Sequence, residues 1–268
     1  MAAKKVLELK PNPRTGRYRL ISGNWKMNLN HLEAIQLVQK LYFGLRDVDY
    51  GFAEISIHPP ATSLRPIQLL IESDRMHFSL GAQNCYFAPS GAYTGEVSAQ
   101  MLSKLNVKYV IVGHSERRRI FGETDEVVAL KTKAILAEQM TPILCVGETA
   151  EEREAGETDD VLMRQVRLAV ADLSAEVVAT IVVAYEPIWA IGTGLVATPE
   201  DATSGAQLIR EELARLYGGD VAERVRIQYG GSVTPVTAHD LLEADGVDGL
   251  LVGGASLDAE AFSRIIRA

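Results

Sequence analysis

A carboxylate that ends an apolar strand and is followed by an apolar, glycine-flanked segment can be covered and kept dry. In this chain Glu186 closes the run Ile181-Val182-Val183-Ala184-Tyr185. It is followed by Pro187, then Trp189, Ala190 and Ile191, then Gly192 and Gly194. Removing water disfavours the charged form of a carboxylate and raises its affinity for a proton. A base tuned this way can take a proton from carbon near neutral pH. Other residues fit the same chemistry. Asn24 and Lys26 offer an amide and a cation, and His114 and Glu116 an imidazole beside a second acid. Gly230-Gly231-Ser232 and Gly253-Gly254 are small enough to leave backbone N–H groups open to an anion.

These residues share one kind of position, because each group follows a short apolar run. Residues 20–23, 53–57, 77–82, 109–113, 142–146, 181–185, 225–229 and 249–252 read as strands. Between them, 31–41, 126–138, 159–173 and 203–216 carry apolar residues at three-to-four spacing and read as helices. Thr198-Pro199-Glu200-Asp201 has a capping residue, a first-position proline and first-turn acids, a helix start. The strands are apolar without alternation, as strands covered on both faces should be. Eight strand–helix units with no break in composition predict a single (β/α)8 barrel over 19–268. No GxGxxG follows the first strand, which disfavours a doubly wound dinucleotide-binding sheet. In a barrel the C-terminal strand ends open on one mouth, so Asn24, Lys26, His114, Glu116, Glu186 and the glycine pairs converge there.

The 268 residues fit one barrel, and 47% apolar residues supply its core. The formal net charge of -8 argues against nucleic acid as a partner. It also gives no long-range attraction for an anionic substrate, so any anion site must be built locally. Cys85 and Cys145 form no CxxC pair and read as free thiols of a reducing compartment. No apolar run is long enough for a membrane span. Residues 1–18 carry Lys4, Lys5, Lys10, Arg14 and Arg17 and read as a short, mobile, basic N-terminal extension. His31, His58, His77 and His239 read as structural, and Arg117-Arg118-Arg119 as a salt-bridged network with Glu116 and Glu123. No HxH or HExxH motif suggests a metal, and neither metal nor organic cofactor is expected.

Five segments together resemble the triosephosphate isomerase family. They are Gly23-Asn24-Trp25-Lys26-Met27-Asn28, Val112-Gly113-His114-Ser115-Glu116-Arg117-Arg118, the run from Ala184 to Gly194, Tyr229-Gly230-Gly231-Ser232-Val233, and Val252-Gly253-Gly254-Ala255-Ser256-Leu257. The resemblance runs from about residue 19 to the C-terminus, in the family's order. It implies isomerisation of D-glyceraldehyde 3-phosphate and dihydroxyacetone phosphate through an enediolate, in glycolysis and gluconeogenesis. Glu186 would be the base, and His114 a neutral imidazole that polarises the carbonyl from a helix N-terminus, as is established for this family. Lys26 would place its ammonium near the enediolate, with Asn24 orienting it. Gly192, Ser232, Gly253 and Gly254 would hold the phosphate. Trp189, Ala190 and Ile191 would form a closing flap, and Ile191 and Leu251 would press on the base. Tyr229 and Ser232 would hydrogen-bond that flap near Ala190. The loop from Gly81 to Glu96, with Thr94 at its tip, would reach into a second copy of the chain. A cytoplasmic homodimer is the implied state. Leu195 departs from the lysine common at the far hinge of the flap. A lyase or epimerase acting on another sugar phosphate is the alternative reading.

Overall fold

The computed structural model describes residues 8–192 and 197–268. Thr193, Gly194 and Leu195, and with them the expectation about the far hinge, lie outside the described residues, as do residues 1–7.

Eight parallel strands close into a barrel in chain order: β1 Leu20–Asn24, β2 Glu54–His58, β3 Ser79–Ala82, β4 Tyr109–Val112, β5 Thr141–Val146, β6 Val182–Tyr185, β7 Arg226–Tyr229 and β8 Gly249–Val252. β1 pairs with β2 from Leu20 opposite Glu54 to Asn24 opposite His58, and closes the barrel with Ile21 opposite Leu250. Helices fill the connections, including His31–Gly44, Asp125–Ala137, Thr158–Val170 and Pro199–Tyr217. The last starts where the sequence predicts. Thr198 accepts from the N–H of Asp201, and the Asp201 carboxylate accepts from the N–H of Thr198, a capping box.

The absence of alternation in the strands has a visible cause. Successive side chains point to opposite faces, and both faces are covered. Tyr109, Ile111, Ile143, Cys145, Val182 and Ala184 share one small buried cluster with Leu20 and Leu251. Their neighbours Val110, Val112, Leu144, Val146, Val183 and Tyr185 belong to the larger cluster packed by the helices. The small cluster is the filled interior of the barrel and the large one is the layer between sheet and helices. Glu186 continues the parity of Val182 and Ala184, and Asn24 that of Leu20, so both face the axis.

The interior also carries a polar column. Gln228 donates to Ser22 Oγ at 2.8 Å, the Ser22 and Ser56 hydroxyls meet at 2.7 Å, and Ser56 reaches His58 Nε2 at 3.0 Å. His58 Nδ1 lies 3.1 Å from the carbonyl of Ala82. Burial pushes the His58 imidazole down to about 4, and its partners suit a neutral ring. The structural reading of this histidine therefore matches its environment.

Residues 8–18 are not a free tail. The N–H of Lys10 donates to Gly51 O and that of Asn12 to Arg17 O. Arg17, almost fully buried, donates to Asp248 Oδ1 at 2.7 Å and to Glu223 Oε2 at 2.5 Å. Arg17 of this basic extension thus finds its carboxylates at the base of the barrel. The arginine network after β4 also differs in its pairing. Arg117 pairs with Glu123 and Arg118 with Asp125, whereas Glu116 turns to Lys26.

Candidate active site

Asn24 and Lys26 are set by a strained turn at the end of β1. Lys26 has φ of 53°, a left-handed conformation that costs a residue with a side chain about 1–2 kcal/mol. Its N–H donates to Asn24 Oδ1 at 3.1 Å, and its ammonium to Glu116 Oε1 at 2.7 Å. Although burial opposes it, the Lys26 ammonium holds the Glu116 carboxyl below the usual carboxylate range. The acid therefore stays charged and keeps Lys26 directed toward the loop after β4.

That loop turns at Gly113, φ 69°, and places His114 as the capping residue of the helix Ser115–Phe121. His114 Nδ1 accepts the N–H of Glu116 at 3.2 Å. A ring nitrogen that accepts carries no proton, so the imidazole is neutral with its hydrogen on Nε2. Nε2 stands 3.1 Å from Glu186 Oε1.

Glu186 is 2% exposed. Its backbone N–H donates to Val146 O at 2.8 Å, and its Oε2 accepts the N–H of Ser115 at 2.9 Å. Oε1 has no aligned hydrogen-bond donor among the described residues. Close approach to His114 thus leaves one carboxylate lone pair buried and uncommitted. Two glycines make room for this residue. A Cβ at Gly147 would fall 1.7 Å from the Glu186 carbonyl oxygen, and one at Gly230 would fall 2.9 Å from its Cγ. Beneath it lies Cys145, fully buried. Burial, and then the charge of Glu186, push its thiol well above the ordinary range, so it remains an uncharged S–H.

The segment after Glu186 begins with Pro187 and one tight turn, Ile188–Ala190. Trp189 is anchored by its indole N–H to Glu148 Oε1 at 2.8 Å, and the same oxygen accepts from Tyr185 at 3.1 Å. Arg153 stacks over the Trp189 ring at 4.2 Å and pairs with Asp201 at 2.7 Å. Burial raises the Glu148 carboxyl above its ordinary value. Ala190 is buried and Ile191 half-buried, while Gly192 is exposed with φ of 72°.

The structure brings Asn24, Lys26, Glu116, His114 and Glu186 together through direct contacts. Gly253 flanks Lys26, since a Cβ there would lie 3.5 Å from its Cε. Gly254 begins the short turn Gly254–Leu257. Gly192, Ser232 and Gly254 are exposed on loops after β6, β7 and β8. Tyr229 is buried with its ring edge-on to Tyr185 at 6.4 Å, and Leu251 belongs to the barrel interior with Ala184 and Cys145. Thr94 is exposed. Sequence reasoning missed Gly147, Glu148 and Gln83 and left Cys145 without a role. The two-residue parity of β5 would have placed Cys145 beside Glu186, and Glu148 was an unassigned acid at a strand's C-terminal end.

A family model described as triosephosphate isomerase matches residues 19–268. The chain belongs to the triosephosphate isomerase family. It is 51% identical over 253 residues to the triosephosphate isomerase of Streptomyces avermitilis, covering 94% of this chain and 98% of that one. Its identity to the triosephosphate isomerase of Bifidobacterium longum is 49%, covering 94% and 95%. For that of Corynebacterium efficiens it is 51%, covering 93% and 95%. Residues 8–18 precede the segment matched to the family.

Proposed function

We propose that this chain interconverts D-glyceraldehyde 3-phosphate and dihydroxyacetone phosphate by moving one proton between C1 and C2. The observation that carries the residue assignment is the pairing of Glu186 with His114. A buried carboxylate oxygen with no aligned donor among the described residues stands 3.1 Å from an imidazole Nε2 that holds a proton. Glu186 takes the proton from carbon as His114 Nε2–H donates to the substrate's carbonyl oxygen. The negative charge of the enediolate develops beside the Lys26 ammonium. Proton return to the neighbouring carbon, with the hydroxyl proton passing from one substrate oxygen to the other, completes the isomerisation. Neither half of the reaction asks His114 to become a cation, which agrees with its accepting Nδ1.

The phosphate is assigned to the backbone of Gly192, Ser232 and Gly254, all exposed, and of half-buried Gly253, at loops where little side chain obstructs a dianion. Closure of Trp189, Ala190 and Ile191 over the mouth would exclude water from Glu186 and delay loss of phosphate from the enediolate. The chain acts as a homodimer in this reading. Met27, 95% exposed beside Lys26, and Phe121 line a cavity of about 470 Å3 that also reaches Asn24 and His114. The exposed tip at Thr94 of a second copy suits that cavity. A glycolytic role in the cytoplasm accords with this reading. Among the described residues no helix is long and apolar enough to cross a membrane.

Isomerisation in deuterium oxide tests the mechanism. The wild-type protein should convert glyceraldehyde 3-phosphate and place deuterium on carbon, as seen by proton NMR. Glu186→Gln should lower both rates by at least about 10²-fold while still binding a phosphate-bearing analogue. Undiminished exchange in that variant would remove Glu186 as the base.

A further inference from the structure

We propose that the N-terminal end of the barrel carries a second anion site, one that takes a compact anion bearing two phosphoryl groups. A cavity of about 480 Å3 opens there. Its wall includes the first residues of β2, β4, β5 and β7, so it lies at the opposite end of the barrel from Glu186. Four cations reach it from three distant stretches of chain. Arg17 comes from the strap of residues 8–18, Lys108 from the residue before β4, and Arg224 and Arg226 from the start of β7. The acids in the wall are Glu54 and Glu223.

The positive surplus persists when each pairing is followed. Glu54 is committed to two of the cations. Its Oε1 accepts from Lys108, and its Oε2 accepts from Arg226 at 3.0 Å and from the Tyr109 hydroxyl at 2.7 Å. Arg17 is held by Glu223 and by Asp248, and Asp248 is shared with Arg210 at 3.2 Å. Five cations, Arg17, Lys108, Arg210, Arg224 and Arg226, therefore share three carboxylates. Arg224, exposed at the rim, makes no ion pair among the described residues, although exposed Glu176 feels its charge. In a chain with 35 acids against 27 lysines and arginines, such a cavity runs against the composition. An anion in it would relieve the repulsion among the cations. Guanidinium forks and an ammonium match phosphate oxygens through charge-assisted hydrogen bonds. A lone phosphate would leave most of this volume empty, since a water occupies only about 30 Å3. Two linked phosphoryl groups fill more of it and answer more than one unmatched cation.

The site shares no residue with the mouth, so the proposal stands apart from the isomerase reading. Isothermal titration calorimetry of the full chain with inorganic pyrophosphate tests it. Wild-type protein should show a binding component with Kd below about 1 mM. Arg224→Ala and Lys108→Ala, both at exposed positions, should each weaken that component about 10-fold, as loss of one charge-assisted contact does. Lys26→Met should leave it unchanged, and Arg224→Ala should keep the wild-type kcat/KM. Inorganic phosphate should bind there at least about 10-fold more weakly than pyrophosphate. A component lost in Lys26→Met and kept in Arg224→Ala would put the pyrophosphate at the mouth and overturn the proposal. Equal affinity in wild type and in both floor variants, or no binding at all, would overturn it as well. Equal affinity for phosphate and pyrophosphate would overturn the ligand of two phosphoryl groups.

Discussion

The indole N–H of Trp189 donates to Glu148 Oε1 at 2.8 Å, which ties the first turn of the flap to the segment after β5. The same oxygen accepts from Tyr185, and Arg153 lies 3.4 Å away while stacking on the Trp189 ring. One fully buried acid therefore anchors the near end of the flap in this arrangement. Glu148→Ala would remove the buried acceptor shared by the Trp189 indole and the Tyr185 phenol. The expected cost is about 2–3 kcal/mol of stability and a fall of roughly 10-fold in kcat/KM from a misplaced flap. Thermal melting and steady-state kinetics check both. A lower melting temperature with unchanged kinetics would confine Glu148 to holding the fold.

His58 makes stability depend on acid. Its folded value is depressed to about 4 by burial, against about 6.5 for an unfolded histidine. As pH falls through about 6.5 the unfolded chain takes up a proton that the folded chain refuses until pH nears 4. The stabilisation is complete above the unfolded value and is lost on acidification across that window. Its size is about 3 kcal/mol. Urea unfolding from neutral pH down to pH 4 should show that loss, and His58→Asn should flatten it. An equal slope in the variant would assign the acid sensitivity to other groups.

The exposed apolar residues around the long loop after β3 bear on assembly. Met27 and Phe121 are 95% and 65% exposed at a groove that reaches Lys26 and His114. Thr94 stands exposed on the loop whose rings, Tyr86 and Tyr93, pack 4.5 Å apart. Leaving such surface in water beside a site that needs order is unfavourable. In the proposed homodimer, Thr94→Arg should place a charge in the contact and shift the sedimentation profile from dimer to monomer, with lower specific activity. An unshifted profile would count against this loop as the dimer contact.

Much of this arrangement was legible in the sequence, and the remainder was hidden for physical reasons. Apolar runs without alternation predict buried parallel strands, and strand ends predict a common mouth, so Asn24, Lys26, His114 and Glu186 could be gathered in advance. The parity of Val182, Ala184 and Glu186 even predicts which way the carboxylate points. The left-handed turn at Lys26 was not legible, because its stability comes from Gln83 and Glu116, distant in sequence. Glu148 gave no signal of its own, because its partners Trp189 and Tyr185 lie about forty residues away. Gly147 gave no signal either, although its lack of a side chain admits the Glu186 backbone. The contacts of residues 8–18 were hidden for the same reason. Charge suggests solvent when the carboxylates that receive it lie more than two hundred residues away.

Arg17 carries the last prediction. Asp248, 1% exposed, accepts from Arg17 at 2.7 Å, from Arg210 at 3.2 Å and from the N–H of Ile227 at 3.0 Å. Arg17→Ala removes one of these donors and frees the end of the strap, but Arg210 still neutralises the carboxylate. The cost should therefore fall below that of leaving a buried charge unpaired, at about 2 kcal/mol. Glu223, largely exposed, recovers water and adds little. The strap lies at the N-terminal end of the barrel and the proposed catalytic groups at the other. kcat and KM should consequently stay at their wild-type values while the melting temperature falls. Deleting residues 1–18 should reproduce the loss of stability without exceeding it greatly, since Arg17 supplies the buried ionic contacts of the strap. A variant with intact stability but altered kinetics would mean that the base of the barrel communicates with its mouth.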